Sequence, residues 1–120
     1  MAAKYNFIAN ANGLGSMDQG ADFIRTVTLT KNNVAIDITG AVVTFRAKSN
    51  YSDTTFALNA TQGNGMISLS GAEGKIYIIV PAATTAAIPA GSYLYSFDMT
   101  LAGKTYRISE GVLQNLPGVL

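Results

Sequence analysis

A period of two runs through most of this chain, and no other feature narrows the possible folds as much. Phe23, Arg25, Val27 and Leu29 alternate with Ile24, Thr26, Thr28 and Thr30. Ala41, Val43, Phe45 and Ala47 alternate with Val42, Thr44, Arg46 and Lys48. Tyr93, Tyr95, Phe97 and Met99 alternate with Leu94, Ser96, Asp98 and Thr100. Successive side chains of a strand point to opposite faces, so each stretch specifies a strand with one apolar face and one polar face. Antiparallel sheets packed on one side and solvated on the other carry this pattern.

The segments between them punctuate the same scheme. Lys31-Asn32-Asn33 is a turn before a short strand at Val34, Ile36 and Ile38, which Thr39-Gly40 ends. Weaker strands are expected at Phe56 and Leu58 and at Ile67 and Leu69. Ile76, Ile78 and Val80 form the inward side of a further strand. Tyr77 and Ile79 make its other side apolar too, which places that strand centrally or against a partner. Pro81 followed by an alanine-rich run to Ile88 predicts about two helical turns, because proline suits a first turn and alanine favours helix. Ala102-Gly103 separates the strongest strand from Tyr106, Ile108 and Glu110 and reads as a hairpin turn. About seven short strands with regular turn signals predict an all-β, two-sheet antiparallel sandwich with one short helical crossover. The 48% apolar composition is enough for one core in a chain of 120 residues. Residues 1–20 have no such period. They are expected to form an extended N-terminal arm, with residues 21–120 as the sandwich domain. Tyr5, Phe7 and Ile8 give the arm an apolar tip that docks on its own domain or on a neighbour.

Chemistry is sparse. Histidine and cysteine are absent, which removes Ser-His and Cys-His nucleophiles, ordinary zinc sites and disulfides. The seven acids do not form a calcium-loop spacing. Asp98 and Glu110 face one another across the last hairpin as either solvated carboxylates partnered by Lys104 or Arg107, or an acid pair in a cleft; the first is the expectation. Glycines near positions 63–65 and 71–74 lack phosphate-binding context. Tyr93, Tyr95 and Phe97 share a face, where core packing outweighs an aromatic platform. Tyr5, Tyr51, Tyr77 and Tyr106 remain as interface anchors. No catalytic residue, cofactor, metal or small-molecule substrate is expected. Eight scattered Lys and Arg against seven Asp and Glu, a net charge of +1, give no nucleic-acid or membrane patch. The opening residues lack the apolar core of a signal peptide.

Several stretches, in order, resemble a family of small bacteriophage virion proteins, the immunoglobulin-like β-sandwich domains of tail and baseplate adaptors. They are Gln19-Gly20-Ala21-Asp22-Phe23-Ile24-Arg25, Ile36-Asp37-Ile38-Thr39-Gly40-Ala41, Gly74-Lys75-Ile76, residues 88–98 from Ile88-Pro89-Ala90-Gly91-Ser92-Tyr93 onward, and Glu110-Gly111. The resemblance implies a non-enzymatic structural protein of a tail, baseplate or fibre attachment. Such a protein assembles in many copies in the host cytoplasm, and its partners are other virion proteins and copies of itself. The expected interface residues are Tyr5, Phe7, Ile8 and Tyr77. A capsid decoration protein and a carbohydrate- or host-surface-binding sandwich are the alternatives; the absence of tryptophan counts against the latter.

Overall fold

The computed structural model describes residues 8–10, 14–50 and 52–117. Among these residues ten strands are formed in chain order: β1 (Ile8–Asn10), β2 (Ser16–Asp18), β3 (Phe23–Lys31), β4 (Val34–Ala35), β5 (Val42–Lys48), β6 (Leu58–Thr61), β7 (Ile67–Ser70), β8 (Lys75–Val80), β9 (Gly91–Leu101) and β10 (Lys104–Leu116). One short helix, α1 (Ala82–Ala87), joins β8 to β9. One sheet has the order β1-β3-β8-β7, with β4 on β3; the other has the order β2-β10-β9-β5-β6. Lettering β1 and β2 as a split first strand A and A′, and the major strands onward from β3 as B, C, C′, D, E, F and G, the sheets read A-B-E-D and A′-G-F-C-C′. That is the strand order of an immunoglobulin-like sandwich. β8 is central, between β3 and β7, but its second apolar face is the outer one, where Ile79 is exposed.

The alternating residues meet between the sheets. Val27, Leu29, Val43, Phe45, Ile76, Ile78 and Phe97 are fully buried there, each worth roughly 1.5–3 kcal/mol of transfer free energy for the larger side chains. No disulfide joins the sheets, and aromatic rings take that central place. Phe23 of β3 stacks on Phe45 of β5, with centroids 5.9 Å apart and planes 12° apart. Phe45 also meets Tyr95 at 5.4 Å and the edge of Phe97 at 5.9 Å. Tyr95 belongs to the core face, but it is only half-buried, and its hydroxyl shares a hydrogen bond with Ser109 Oγ.

The described residues on the N-terminal side of β3 pair with the sandwich, across the boundary at residue 20 that the missing period implied. β1 pairs antiparallel with β3, and Ile8 lies opposite Thr30. β2 crosses to the other sheet and runs parallel to β10, with Ser16 opposite Gln114; this pair departs from the all-antiparallel expectation. Leu14 and Met17 are buried in the core. Strands of three residues are too short to display a period, and their registration comes from distant backbones. Residues 1–7, with Tyr5 and Phe7, lie outside the described residues, as does Tyr51.

Two further differences have local causes. The second expected strand shrinks to Val34–Ala35, because Ile36 and Ile38 leave the ladder to enter the core, their N–H groups donating to Leu29 and Gly71 carbonyls. In β10 a bulge between Arg107 and Ser109 shifts the register. The extra residue moves Glu110 off the face of Tyr106 and places it opposite Ser96 on the outer face.

The crossover helix is fastened by side chains from both ends of the chain. Ala82 N–H donates to Asp22 Oδ1 at 2.7 Å. At the other end Ile88 O accepts from Asn115 Nδ2 at 2.8 Å and from Gln19 Nε2 at 3.0 Å. The Thr85 hydroxyl accepts from Gly20 N–H and donates to Ala21 O. Just beyond, the Tyr93 hydroxyl donates to Pro89 O, the tyrosine-corner contact at the entry to strand F.

Candidate functional site

The outer face of the five-stranded sheet carries a built surface. Register places its side chains in rows. Arg107 of β10 lies opposite Asp98 of β9, which lies opposite Thr44 of β5. In the next row are Glu110, Ser96, Arg46 and Asn59, and beyond it Val112, Leu94 and Lys48. These rows frame a concavity of about 310 Å³ whose lining includes Arg46, Lys48, Phe56, Leu94, Asp98 and Glu110.

Both carboxylates are already engaged. Arg107 Nε donates to Asp98 Oδ1 at 2.8 Å, and its Nη1 donates to Glu110 Oε2 at 3.2 Å. Ser96 Oγ donates to the second oxygen of Asp98 at 2.7 Å. The Asp98 hydrogen bond raises the Arg107 guanidinium above its ordinary pKa, and Glu110 adds to this. The expected solvated pairing of this acid pair by Arg107 is what the fold forms. One guanidinium thus bridges the two carboxylates, and charge-assisted bonds of this kind hold the side chains in fixed positions.

Arg46 and Lys48 are placed differently. Their charges lie over the ring of Phe56, 5.0 and 5.2 Å from its centroid. Arg46 Nε donates to Asn59 Oδ1 at 2.8 Å, leaving its Nη atoms to other acceptors. Neither cation forms an ion pair with a carboxylate among the described residues. Of the seven large apolar side chains exposed among the described residues, Val42, Phe56, Val112 and Leu116 belong to this sheet or its flank. Ile24 and Ile79 sit opposite one another on the outer face of the other sheet.

Of the sequence-derived interface residues, Tyr5 and Phe7 lie outside the described residues, and the others do not share one surface. Tyr77 is half-buried on the outer face of β8, opposite Thr26 and Ser68, and it is remote in register from the concavity. Ile8 lies in β1 on its own domain. Tyr106 is buried, so it cannot anchor a partner. Tyr93 and Phe97 are buried, in keeping with core packing. Arg46, Lys48 and Phe56 were not singled out. The available signal was the i, i+2 spacing of two cations on the polar face of one strand, with an aromatic just across the following loop. Among the described residues, no group of three or more acidic side chains could hold a metal ion, and no helix is long and apolar enough to cross a membrane.

No family model and no curated protein matches this sequence. Solved structures similar to it include extracellular domains 3–5 of Drosophila OTK, at 14% identity and a TM-score of 0.41, covering 95% of this chain and 37% of that one. Murine CRIg is similar at 7% identity and a TM-score of 0.41, covering 94% of this chain and 98% of that one. This chain thus spans little more than a third of the OTK fragment, and the immunoglobulin-like assignment rests on the strand order.

Proposed function

We propose that this chain is a non-enzymatic structural protein of a bacteriophage virion, of the tail, baseplate or fibre-attachment class, built in several copies through protein–protein contacts. The observation that carries the contact surface is the outer face of the β2-β10-β9-β5-β6 sheet. It combines exposed apolar side chains, two cations stacked on an aromatic ring and a satisfied ion-pair network. Aromatic and arginine residues are the usual anchors of protein interfaces. The virion assignment draws its support from the resemblance spanning residues 19–113. The tyrosine-bearing face of β8 is a second surface available to neighbours in such an assembly.

The test is incorporation. Host cells producing particles are supplied with tagged wild-type chain or with Val112→Glu, and purified particles are quantified by mass spectrometry. The wild-type chain is expected at several copies per particle. The variant, changed at an exposed position and so within about 0.5 kcal/mol of wild-type stability, is expected to be depleted at least tenfold. Absence of the wild-type chain from particles would overturn the virion assignment. Equal incorporation of both chains would overturn the choice of face.

A further inference from the structure

We infer that the concavity bounded by Arg46, Lys48, Phe56 and Leu94 is a recognition site for an acidic peptide segment, one that presents a single carboxylate beside an apolar side chain. The inference rests on the reading of this sheet face as a protein-contact surface and names the chemistry of its partner. Four observations point to that chemistry. First, the lining holds three cations, Arg46, Lys48 and Arg107, and two anions, Asp98 and Glu110. The difference is +1, which one monoanion neutralises and a dianion overshoots.

Second, Arg107 pairs with both anions, a triad of net charge −1, whereas the positive charges of Arg46 and Lys48 have no ion-pair partner among the described residues. Asn59 fixes the Arg46 Nε, and the remaining Nη atoms suit a carboxylate oxygen. Charge-assisted bonds of this kind are roughly twice as strong as neutral ones. Third, Phe56 remains 40% exposed beneath the two cations, and Leu94 and Val112 continue an apolar border in the adjacent row. An acid flanked by an apolar group therefore matches the site better than a fully polar anion. Fourth, 310 Å³ lies at the small end of the roughly 300–1,000 Å³ range of ligand pockets. It suits one or two side chains entering from a segment laid across the strands.

The experiment is a titration of ¹⁵N-labelled full chain with acetyl-Leu-Glu-Leu-amide, with acetyl-Leu-Gln-Leu-amide, and with free D-glucuronate. The Glu peptide is expected to shift the amides of Arg46, Lys48 and Leu94 saturably and to bind about tenfold more tightly than the Gln peptide, a difference of about 1.4 kcal/mol. In Arg46→Ala the preference should vanish. In Arg46→Lys it should survive only in part, because the planar fork is lost. Equal affinity for the two peptides, or shifts located on other strands, would overturn the inference. Tighter binding of glucuronate than of the Glu peptide would also overturn it and reassign the site to a sugar acid. The two readings fail separately. If Val112→Glu blocks incorporation while the Glu peptide shows no preference, the face stands and its acidic partner falls. If the Glu peptide binds with the stated preference while particles lack the chain, the virion assignment falls instead.

Discussion

Gly74 occupies a point where two backbones close on a third. Its φ is +67°, and an added Cβ would lie 2.7 Å from Leu29 O and 2.8 Å from Ile36 O. Those carbonyls belong to the segments that send Leu29 and Ile36 into the core, so they cannot retreat without dragging buried side chains. Gly40 makes a useful contrast: its φ is +84°, but open space surrounds the position of a Cβ. Gly74→Ala therefore carries both conformational strain and a clash, and should lower stability by roughly 2–4 kcal/mol. Gly40→Ala carries strain alone, about 1–2 kcal/mol. Urea denaturation of both variants measures the difference; equal losses would mean that the approach around Gly74 is looser than described. The sequence treats both as glycines between strands, and only the fold shows that Gly74 is crowded.

At the level of elements, what could be read from the sequence was set by strand length and by the source of the register. β3, β5, β8 and β9 announced themselves, because six or more residues display a period of two and their apolar sets are the core. The Ala102-Gly103 hairpin was also legible: both residues have positive φ, 54° and 79°, as a two-residue hairpin turn of this hand requires. β1 and β2 were not legible, since three-residue strands are specified by partners dozens of residues away. The same limit hid the outer-face site. A strict alternation through β10 groups Glu110 with Tyr106, and only the bulge after Arg107 turns it outward beside Ser96. Arg46 and Lys48 were visibly on a polar face, but their meeting with Phe56 depends on the loop into β6. The N-terminal segment gives the prediction at this scale. Leu14 and Met17 are 3% and 1% exposed, and Arg25 reaches from β3 to the Ser16 carbonyl. Removing two such side chains costs about 2–5 kcal/mol each. Deleting residues 1–18 should therefore lower the thermal midpoint by about 15 °C or more for a domain of this size. A midpoint within about 1 °C of the intact chain, well under the shift of about 4 °C for a loss of about 1 kcal/mol, would return the segment to the status of a detachable arm.

For the molecule as a whole, the connections tie both sheets and the crossover helix together among the described residues. The N-terminal segment belongs to both sheets, β1 on β3 and β2 on β10. Helix α1 is held at one end by Asp22 and at the other by Gln19 and Asn115, so the start and the end of the described chain close on the same crossover. Phe23 and Phe45 meet across the middle from opposite sheets. Separating the sheets would break all three connections together. Loosening either edge of the second sheet would expose Met17 or Leu58. Thermal unfolding should accordingly be a single transition, with a ratio of calorimetric to van't Hoff enthalpy of about 1 and an enthalpy near 80 kcal/mol at about 60 °C for this length. The pairing of Ser16 with Gln114 and the other long-range ladders also require wide loop closures before any contact rewards them. Refolding should be correspondingly slow, on the scale of milliseconds to seconds. Stopped-flow fluorescence of the tyrosines, alongside calorimetry, checks both statements. Two resolved calorimetric transitions, or refolding complete within microseconds, would show that one sheet or hairpin forms and melts independently, and the three connections described here would then be too weak to act as one.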